Sequence, residues 1–359
     1  MHAHGLSSIC QKKGVSLGIV AVVPLGILAL LYFGFGADSD LHRLEGSTMG
    51  TYYKVTYRGQ VSSSALKREF ERRLLAVEDQ LSNWNKDSWV RSFNRRDTTG
   101  FVPIPNHATR VLRRSLQLAD RTNGALDPTM GQLLNLWGFG PFEADPPPKT
   151  QALQKALQST GPEKLTLKNR PPQVAKAHSG LHLNLSATAK GYAVDVLARH
   201  LEAEGITVYK VNIGGDIRVR GQPGGESAWT IVIQKPAPGA QSGSANTKVS
   251  LSGAGAATSG DYRRFRSVDG QRYPHVLNPE TGRPIQSNLA SVTVIAPTAL
   301  RADGLATACL VLGLHEARKL IARTPDAEGL FIERQKPNRF RTHASSGWPR
   351  VPDSVRTLP

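Results

Sequence analysis

Between Gly14 and Ala37 the chain carries no charged residue, and the centre of that run, GIVAVVPLGILALLYFGF, is almost wholly apolar. A water-soluble fold cannot expose such a run, so it divides the chain into a bilayer or export segment and a body that folds separately. The run is long enough to span a hydrocarbon core and longer than most signal-peptide cores. Lys12 and Lys13 precede it, whereas Asp38 and Asp40 follow. The positive-inside bias therefore predicts a cytoplasmic N-terminus (1–14) and a single-pass anchor (15–36) in an inner membrane, with the remainder on the periplasmic side. Small residues at Gly34, Gly36 and Ala37 keep a cleaved signal as the alternative. No cysteine follows the run, which argues against lipid anchoring at this point.

The 359 residues suffice for a substantial core in one large domain or two. A formal charge of +17 points to anionic surroundings: membrane headgroups, a nucleotide or nucleic acid. No zinc-finger spacing, RNA-binding aromatic signature or sustained Lys/Arg run accompanies the charge, so nucleic acid is the weakest of the three. Two cysteines make no disulfide framework; Cys10 precedes the apolar run, and Cys309 lies within an apolar helical pattern that buries it.

Periodicity supplies the elements. Tyr53, Val55 and Tyr57 alternate with polar neighbours as in a half-buried strand, and Leu66, Phe70, Leu74, Val77 and Leu81 recur at helical spacing. Ser82, Asn83 and Asn85 break that helix and expose Trp84, whose ring can stack on a flat ligand or pack back onto the domain. Leu112, Leu116 and Ala119 mark a second helix that Asn123-Gly124 ends, and Asp127-Pro128 opens a new turn or helix. PFEADPPPK is a stiff connector before a short helical segment at 150–158, a soft seam rather than a domain boundary. Leu181, Leu183 and Leu185 alternate as a strand, with Ser186 as N-cap of a helix to Gly205. YKVNIGGDIRVRG reads as strand, glycine turn, strand; WTIVI and SVTVIAP read as further strands, and GLFIE as the last. Residues 236–247 are a low-complexity hairpin tip, and 336–359 form a basic, flexible tail. The pattern is α+β: mixed strands with flanking helices.

Three places carry chemistry. The stretch Thr258–Ile285 holds one histidine, His275, among turn-forming residues and Arg263, Arg264, Arg266 and Arg272. A cationic loop with a general base suits a phosphate-like ligand; a solvated hairpin whose histidine caps a turn is the plain alternative. Lys190 falls near a helix N-terminus, where free backbone N–H groups favour a phosphate, although read alone it is an ordinary surface lysine. Asp303 and Thr307 are four apart on one helical face, opposite Leu305, Cys309 and Leu312. Carboxylate and hydroxyl together offer hard oxygens for Mg²⁺ if a carbonyl or phosphate completes the shell; otherwise the face is merely solvated, or Thr307 bonds back to a carbonyl.

Taken together, the blocks GSTMGTYYKVTY, LSNWNKDSWVRSFNR, TNGALDPTMGQLLNLWGFG, LNLSATAKGYAVDVLARHL, VNIGGDIRVRG, TSGDYRRFRSVDGQRYPHVLNPETGRPI and SVTVIAPTALRADGLATACLVLG resemble, in order, those of the ApbE family of flavin transferases. The resemblance implies a single α+β catalytic domain over about residues 46–335. Its implied reaction splits FAD in the presence of Mg²⁺ and joins FMN to a Ser or Thr hydroxyl of an acceptor protein, releasing AMP. Carried over by position, Met49, Trp84, Ala125, Leu126, Asp127, Asn184, Lys190 and Leu277 would contact FAD. Asp303 and Thr307 would hold Mg²⁺ with the carbonyl of Ala187, and His275 would be catalytic. Trp84, Asn184 and Leu126 stand where the family commonly has tyrosine, aspartate and phenylalanine. The implied partner carries a short Ser/Thr-Gly-Ala motif and belongs to a membrane redox complex. Ser252–Gly255 is similar to that motif but reads as a strand end. Two rival readings remain: a Mg²⁺-dependent FAD pyrophosphatase giving FMN and AMP, and a non-catalytic, membrane-tethered FAD-binding protein.

Overall fold

Tyr53, Val55 and Tyr57 are all fully buried, and their alternation fixes the face that the first long strand turns to the core. The computed structural model describes residues 41–224, 228–234, 236, 245–336 and 339–349. The apolar run at 14–37 and most of the tip at 236–247 lie outside the described residues, and no described helix is long and apolar enough to cross a membrane.

The chain begins with β1 (His42–Thr48) and β2 (Thr51–Arg58), followed by α1 (Ser63–Leu81). Leu66, Phe70, Leu74, Val77 and Leu81 are the residues α1 buries. At about 2 kcal/mol each, their burial contributes roughly 10 kcal/mol before chain entropy is charged. Next come α2 (Trp89–Asn94), β3 (Val102–Pro103), α3 (Asn106–Arg121), α4 (Gly131–Leu136) and α5 (Thr150–Ser159). β4 (Leu165–Asn169) and β5 (Pro172–Lys176) pair with β3 in a small sheet that the periodicity does not announce. α6 (Ser186–Ala203), β6 (Val208–Ile213), β7 (Asp216–Arg220), β8 (Trp229–Gln234), β9 (Ala245–Leu251) and β10 (Ala254–Gly260) follow. The remainder is β11 (Phe265–Val268), β12 (Gln271–Pro274), β13 (Leu289–Ala296), α7 (Ala299–Ala322), β14 (Glu328–Lys336) and β15 (Arg339–Ala344).

Eight strands form one antiparallel sheet in the order β1-β2-β6-β7-β10-β13-β14-β15. The main core fills the space between one face of this sheet and α1, α6 and α7. On the other face the β8–β9 hairpin packs Trp229, Ile231, Ile233, Val249 and Leu251 against Ile217, Val219, Ile295 and Leu330. Two covered faces explain why every residue of β13, the strand read from SVTVIAP, is buried. Residues 41 onward form one contact unit, so the seam near residue 145 is no boundary.

Four expectations need correction. Leu181, Leu183 and Leu185 are buried but belong to no strand beyond a single bridge from His182 to Met130. Side chains take the backbone groups there: Asn83 and Asn94 both donate to the Leu183 carbonyl at 2.9 Å, and Asn94 Oδ1 accepts its N–H at 2.7 Å. Ser186 is the first helical residue rather than the cap; its N–H and hydroxyl both donate to Asn184 Oδ1. Thr258–Gly260 is strand, not turn, because β10 continues in register with β13 up to Gly260 opposite Ser291. Part of the tail expected to be flexible is β15, an edge strand on β14. α7 is also interrupted, since Gly313 takes a left-handed φ of 74° inside it.

Candidate functional site

A cavity of about 270 Å³ opens where the start of α6, the end of β10, the loop after β12 and the first turns of α7 converge. Period two along β7 turns Ile217 and Val219 to the hairpin side and Asp216 and Arg218 to the helices. Asp216 thereby comes beneath α6, where its Oδ2 accepts from Lys190 Nζ at 2.5 Å. The second oxygen, Asp216 Oδ1, is buried with no hydrogen-bond partner. Asp303, on α7, is 4% exposed; its Oδ2 accepts the Gly191 N–H at 3.1 Å, and its Oδ1 lies 4.0 Å from Lys190 Nζ. Two buried carboxylates thus share one ammonium. Burial, and then the neighbouring Asp216, push the Asp303 pKa well above the usual carboxylate range. Lys190 is held above its ordinary value: burial opposes its charge, but Asp216 and Asp303 outweigh that.

Thr307 lies one turn on, and its hydroxyl is 3.1 Å from Ser259 Oγ rather than turned back on the helix. Asp303, Thr307 and Ala187 all line the cavity, which gathers residues able to offer carboxylate, hydroxyl and carbonyl oxygens. Two carboxylates set this close, one of them raised well above its usual range by burial and the other, fit a small hard cation in place of the proton they would otherwise share. No group of three or more His, Cys, Asp or Glu side chains stands together among the described residues. A cation here would therefore also draw on hydroxyl, carbonyl or ligand phosphate oxygens.

His275 follows β12 directly. Its Nδ1 is 3.0 Å from the Arg264 carbonyl, which can only accept, so Nδ1 carries the hydrogen and Nε2 keeps a free lone pair. Burial pushes its pKa down to about 4, an effect the Arg264 bond opposes and the nearby cations assist. The ring is therefore neutral at pH 7. Of the four hairpin arginines, Arg263 and Arg264 line the cavity. Arg266 is tied to the Gly138 carbonyl and Arg272 to that of Asp261, so both are structural.

The cavity also brings together Ala125, Leu126, Asp127, Asn184 and Leu277. Asp127 is turned onto Thr129, which donates N–H and O–H to its Oδ1 at 2.7 and 2.6 Å. Asn184 spends its oxygen on Ser186, which leaves its amide N–H₂ as the group to offer a ligand. Met49 and Trp84 are not in the lining. Met49 sits in the β1–β2 turn at φ 50°, a left-handed conformation costing a non-glycine residue about 1–2 kcal/mol, and its N–H donates to Glu78. Trp84 is 58% exposed, with the Arg264 guanidinium 5.6 Å from its ring centroid. Asp216 is the residue that sequence reasoning missed. The signal was the Gly214-Gly215 turn before it, which admits Arg263 to the Gly214 carbonyl at 3.2 Å.

Fold and site define a class: an α+β protein whose sheet and helices bring a lysine–carboxylate cluster beside a neutral histidine with one free ring nitrogen. The sequence model described as the ApbE family matches residues 49–331. The chain belongs to the ApbE family. It is 36% identical over 329 residues to the FAD:protein FMN transferase of Escherichia coli K12, covering 87% of this chain and 92% of that one. The FAD:protein FMN transferase of Vibrio cholerae is 36% identical over 335 residues, covering 92% and 97% respectively. The solved flavin transferase ApbE from Vibrio cholerae superposes with a TM-score of 0.77 at 37% identity, over 86% of this chain and 97% of that one. The apo flavinyl transferase ApbE from Pseudomonas stutzeri gives a TM-score of 0.77 at 35% identity, over 86% and 95%.

Proposed function

We propose that this chain transfers the FMN half of FAD to a Ser or Thr hydroxyl of an acceptor protein, with Mg²⁺, releasing AMP. The observation that carries the reading is His275: its Nδ1–H is committed to a carbonyl, its ring is neutral, and it shares a cavity with Lys190, Asp303 and Thr307. The activity for which the E. coli and V. cholerae relatives are named supports it.

In this reaction the acceptor hydroxyl oxygen bonds to the FMN-side phosphorus as the bond from that phosphorus to the bridging oxygen breaks. AMP leaves with that oxygen, and the hydroxyl proton passes to Nε2 of His275. Lys190, Arg263 and Arg264 draw charge from the pyrophosphate, the main task of a phosphoryl-transfer site. Mg²⁺, held by Asp303, Thr307 and the Ala187 carbonyl, would supply Lewis-acid charge neutralisation. Ala125, Leu126, Asp127, Asn184 and Leu277 would hold the FAD, and Trp84 would offer a ring face to one of its flat rings. Met49 would join them from the β1–β2 turn.

The acceptor is expected to carry a Ser/Thr-Gly-Ala-type motif and to belong to a membrane redox complex. The apolar run at 15–36 would hold the catalytic unit at the outer side of the inner membrane, so the chain should stay with membranes through a high-salt wash. Recovery of a shortened soluble form would show a cleaved signal.

The test of the chemistry is His275→Asn, with FAD affinity and single-turnover transfer measured on one preparation. Affinity should be largely kept, and the rate should fall by about 10²- to 10⁴-fold, the usual contribution of a positioned base. Weakened binding with an unchanged rate per bound enzyme would remove the general-base role.

A further inference from the structure

A second cleft, of about 640 Å³, lies between α3 on one side and α6 with the first turn of α7 on the other, and shares no lining residue with the catalytic cavity. Arg110, Arg113, Arg114 and Arg121 rise from α3; Arg199 stands on α6 and Arg301 on α7. At 100° per residue the four α3 arginines fall within about 100° of one another, a single stripe. All four are exposed, as is Arg199.

Among the described residues little balances this charge: Asp326 acts on Arg301 from a distance, and its effect is smaller than those of burial and Arg121. Among the described residues none of the six forms an ion pair with a carboxylate. Their hydrogen bonds go to neutral acceptors: Arg113 to Asn169, Arg114 to Gln117 and Arg301 to the Pro325 carbonyl. The carboxylate in the cleft, Asp195, is committed elsewhere. It is buried, accepts the N–H groups of Ala299 and Leu300 at 3.1 and 3.0 Å, and pairs with Arg218 at 2.9 Å. Arg301 Nε is buried with no partner. Burial, and then Arg121, push the Arg301 pKa down, so gathering these cations costs the isolated fold free energy.

The array is extended rather than convergent. From Arg110 to Arg121 the helix rises about 16 Å, which spreads the guanidiniums along a surface instead of aiming them at one atom. Guanidinium forks match phosphate oxygens in pairs. A surface of repeated phosphates fits the array, and the sequence supplies the means to reach one: the uncharged apolar run closes at Ala37, with residues 38–40 before the described unit begins at Leu41.

We propose that this arginine cleft seats the phosphodiester headgroups of an anionic membrane surface, so that the catalytic unit is held against the bilayer by its helical face as well as by its tether. The proposal rests on the membrane-tethered reading of the apolar run. Full-length chain is reconstituted into vesicles of phosphatidylcholine, alone or with phosphatidylglycerol, and arginine reactivity toward phenylglyoxal is followed by peptide mass spectrometry. Retention on neutral vesicles after a high-salt wash reports the tether separately from the cleft.

Phosphatidylglycerol should slow labelling at all six arginines severalfold. The protection should vanish near 1 M salt, where the screening length is about 3 Å. Each cation near an anionic surface adds about 1 kcal/mol, or about fivefold. The variant Arg110/Arg114/Arg121/Arg199→Gln should therefore weaken the association by more than about 10²-fold and lose protection at Arg113 and Arg301. FAD binding by the same variant should be unchanged, which reports that it is folded. Equal labelling in the two vesicle types, or undiminished protection in the variant, would overturn the proposal. So would equal protection by soluble glycerol phosphate with neutral vesicles, which would mark a small-anion site instead.

Discussion

Three charges share one buried spot: Lys190 sits 2.5 Å from Asp216 and 4.0 Å from Asp303. The geometry holds the ammonium on Asp216 and leaves an Asp303 oxygen for a cation. Asp303→Ala should remove most transfer activity and most Mg²⁺ affinity, and Thr307→Val, which keeps shape but loses an oxygen, should raise the Mg²⁺ requirement. Asp216→Asn frees Lys190 to pair with Asp303 and should also raise the Mg²⁺ requirement, while FAD still binds without metal. Titration of Mg²⁺ against each variant checks this; wild-type curves for all three would remove the metal assignment. Asp303 and Thr307 were legible because i,i+4 spacing on a helix fixes a shared face. Asp216 was not: a period-two strand shows which residues share a side, but not which helix crosses above it. The lone histidine was visible as well, whereas its hydrogen-bonded tautomer depends on a carbonyl eleven residues away.

The site also depends on how closely α6 and α7 approach. Gly191 makes this contact: a Cβ there would fall on the backbone of Ala299, and its own N–H is the donor to Asp303. Gly191→Ala should therefore spread the two helices and weaken the response to Mg²⁺ along with thermal stability. Melting curves and Mg²⁺ titration of that variant, unchanged from wild type, would show that the approach does not matter. Elements with strong periodicity, such as α1 and β2, were legible because each turns one apolar face to a single core. The Leu181–Leu185 segment misled because its apolar alternation is real, while its backbone partners are the amides of Asn83 and Asn94, about 100 residues earlier. The small β3–β5–β4 sheet escaped because its strands are short and bury few of their positions, so no sustained alternation marks them.

Across the whole molecule, His107, His182, His200 and His275 all have pKa values lowered first by burial. Their contribution to stability is complete above the unfolded value near 6.5 and is lost as pH falls toward the folded values, about 4 for His275. Asp303, raised well above the carboxylate range by burial and Asp216, opposes this, because its folded form keeps a proton that the unfolded chain has released. The melting temperature should fall between pH 7 and pH 5, more steeply with Mg²⁺, which keeps Asp303 ionised and removes its opposition. A rising melting temperature over that range would contradict the sign. The central claim concerns the fate of the flavin, and one assay reads it: the chain is incubated with FAD, Mg²⁺ and a candidate acceptor domain, and the products are resolved by fluorescence and mass. The account predicts an acceptor heavier by one FMN, fluorescent after denaturation, with AMP released in equal amount. Free FMN with AMP and an unmodified acceptor would contradict it and mark a pyrophosphatase; intact FAD would mark a protein that only binds it.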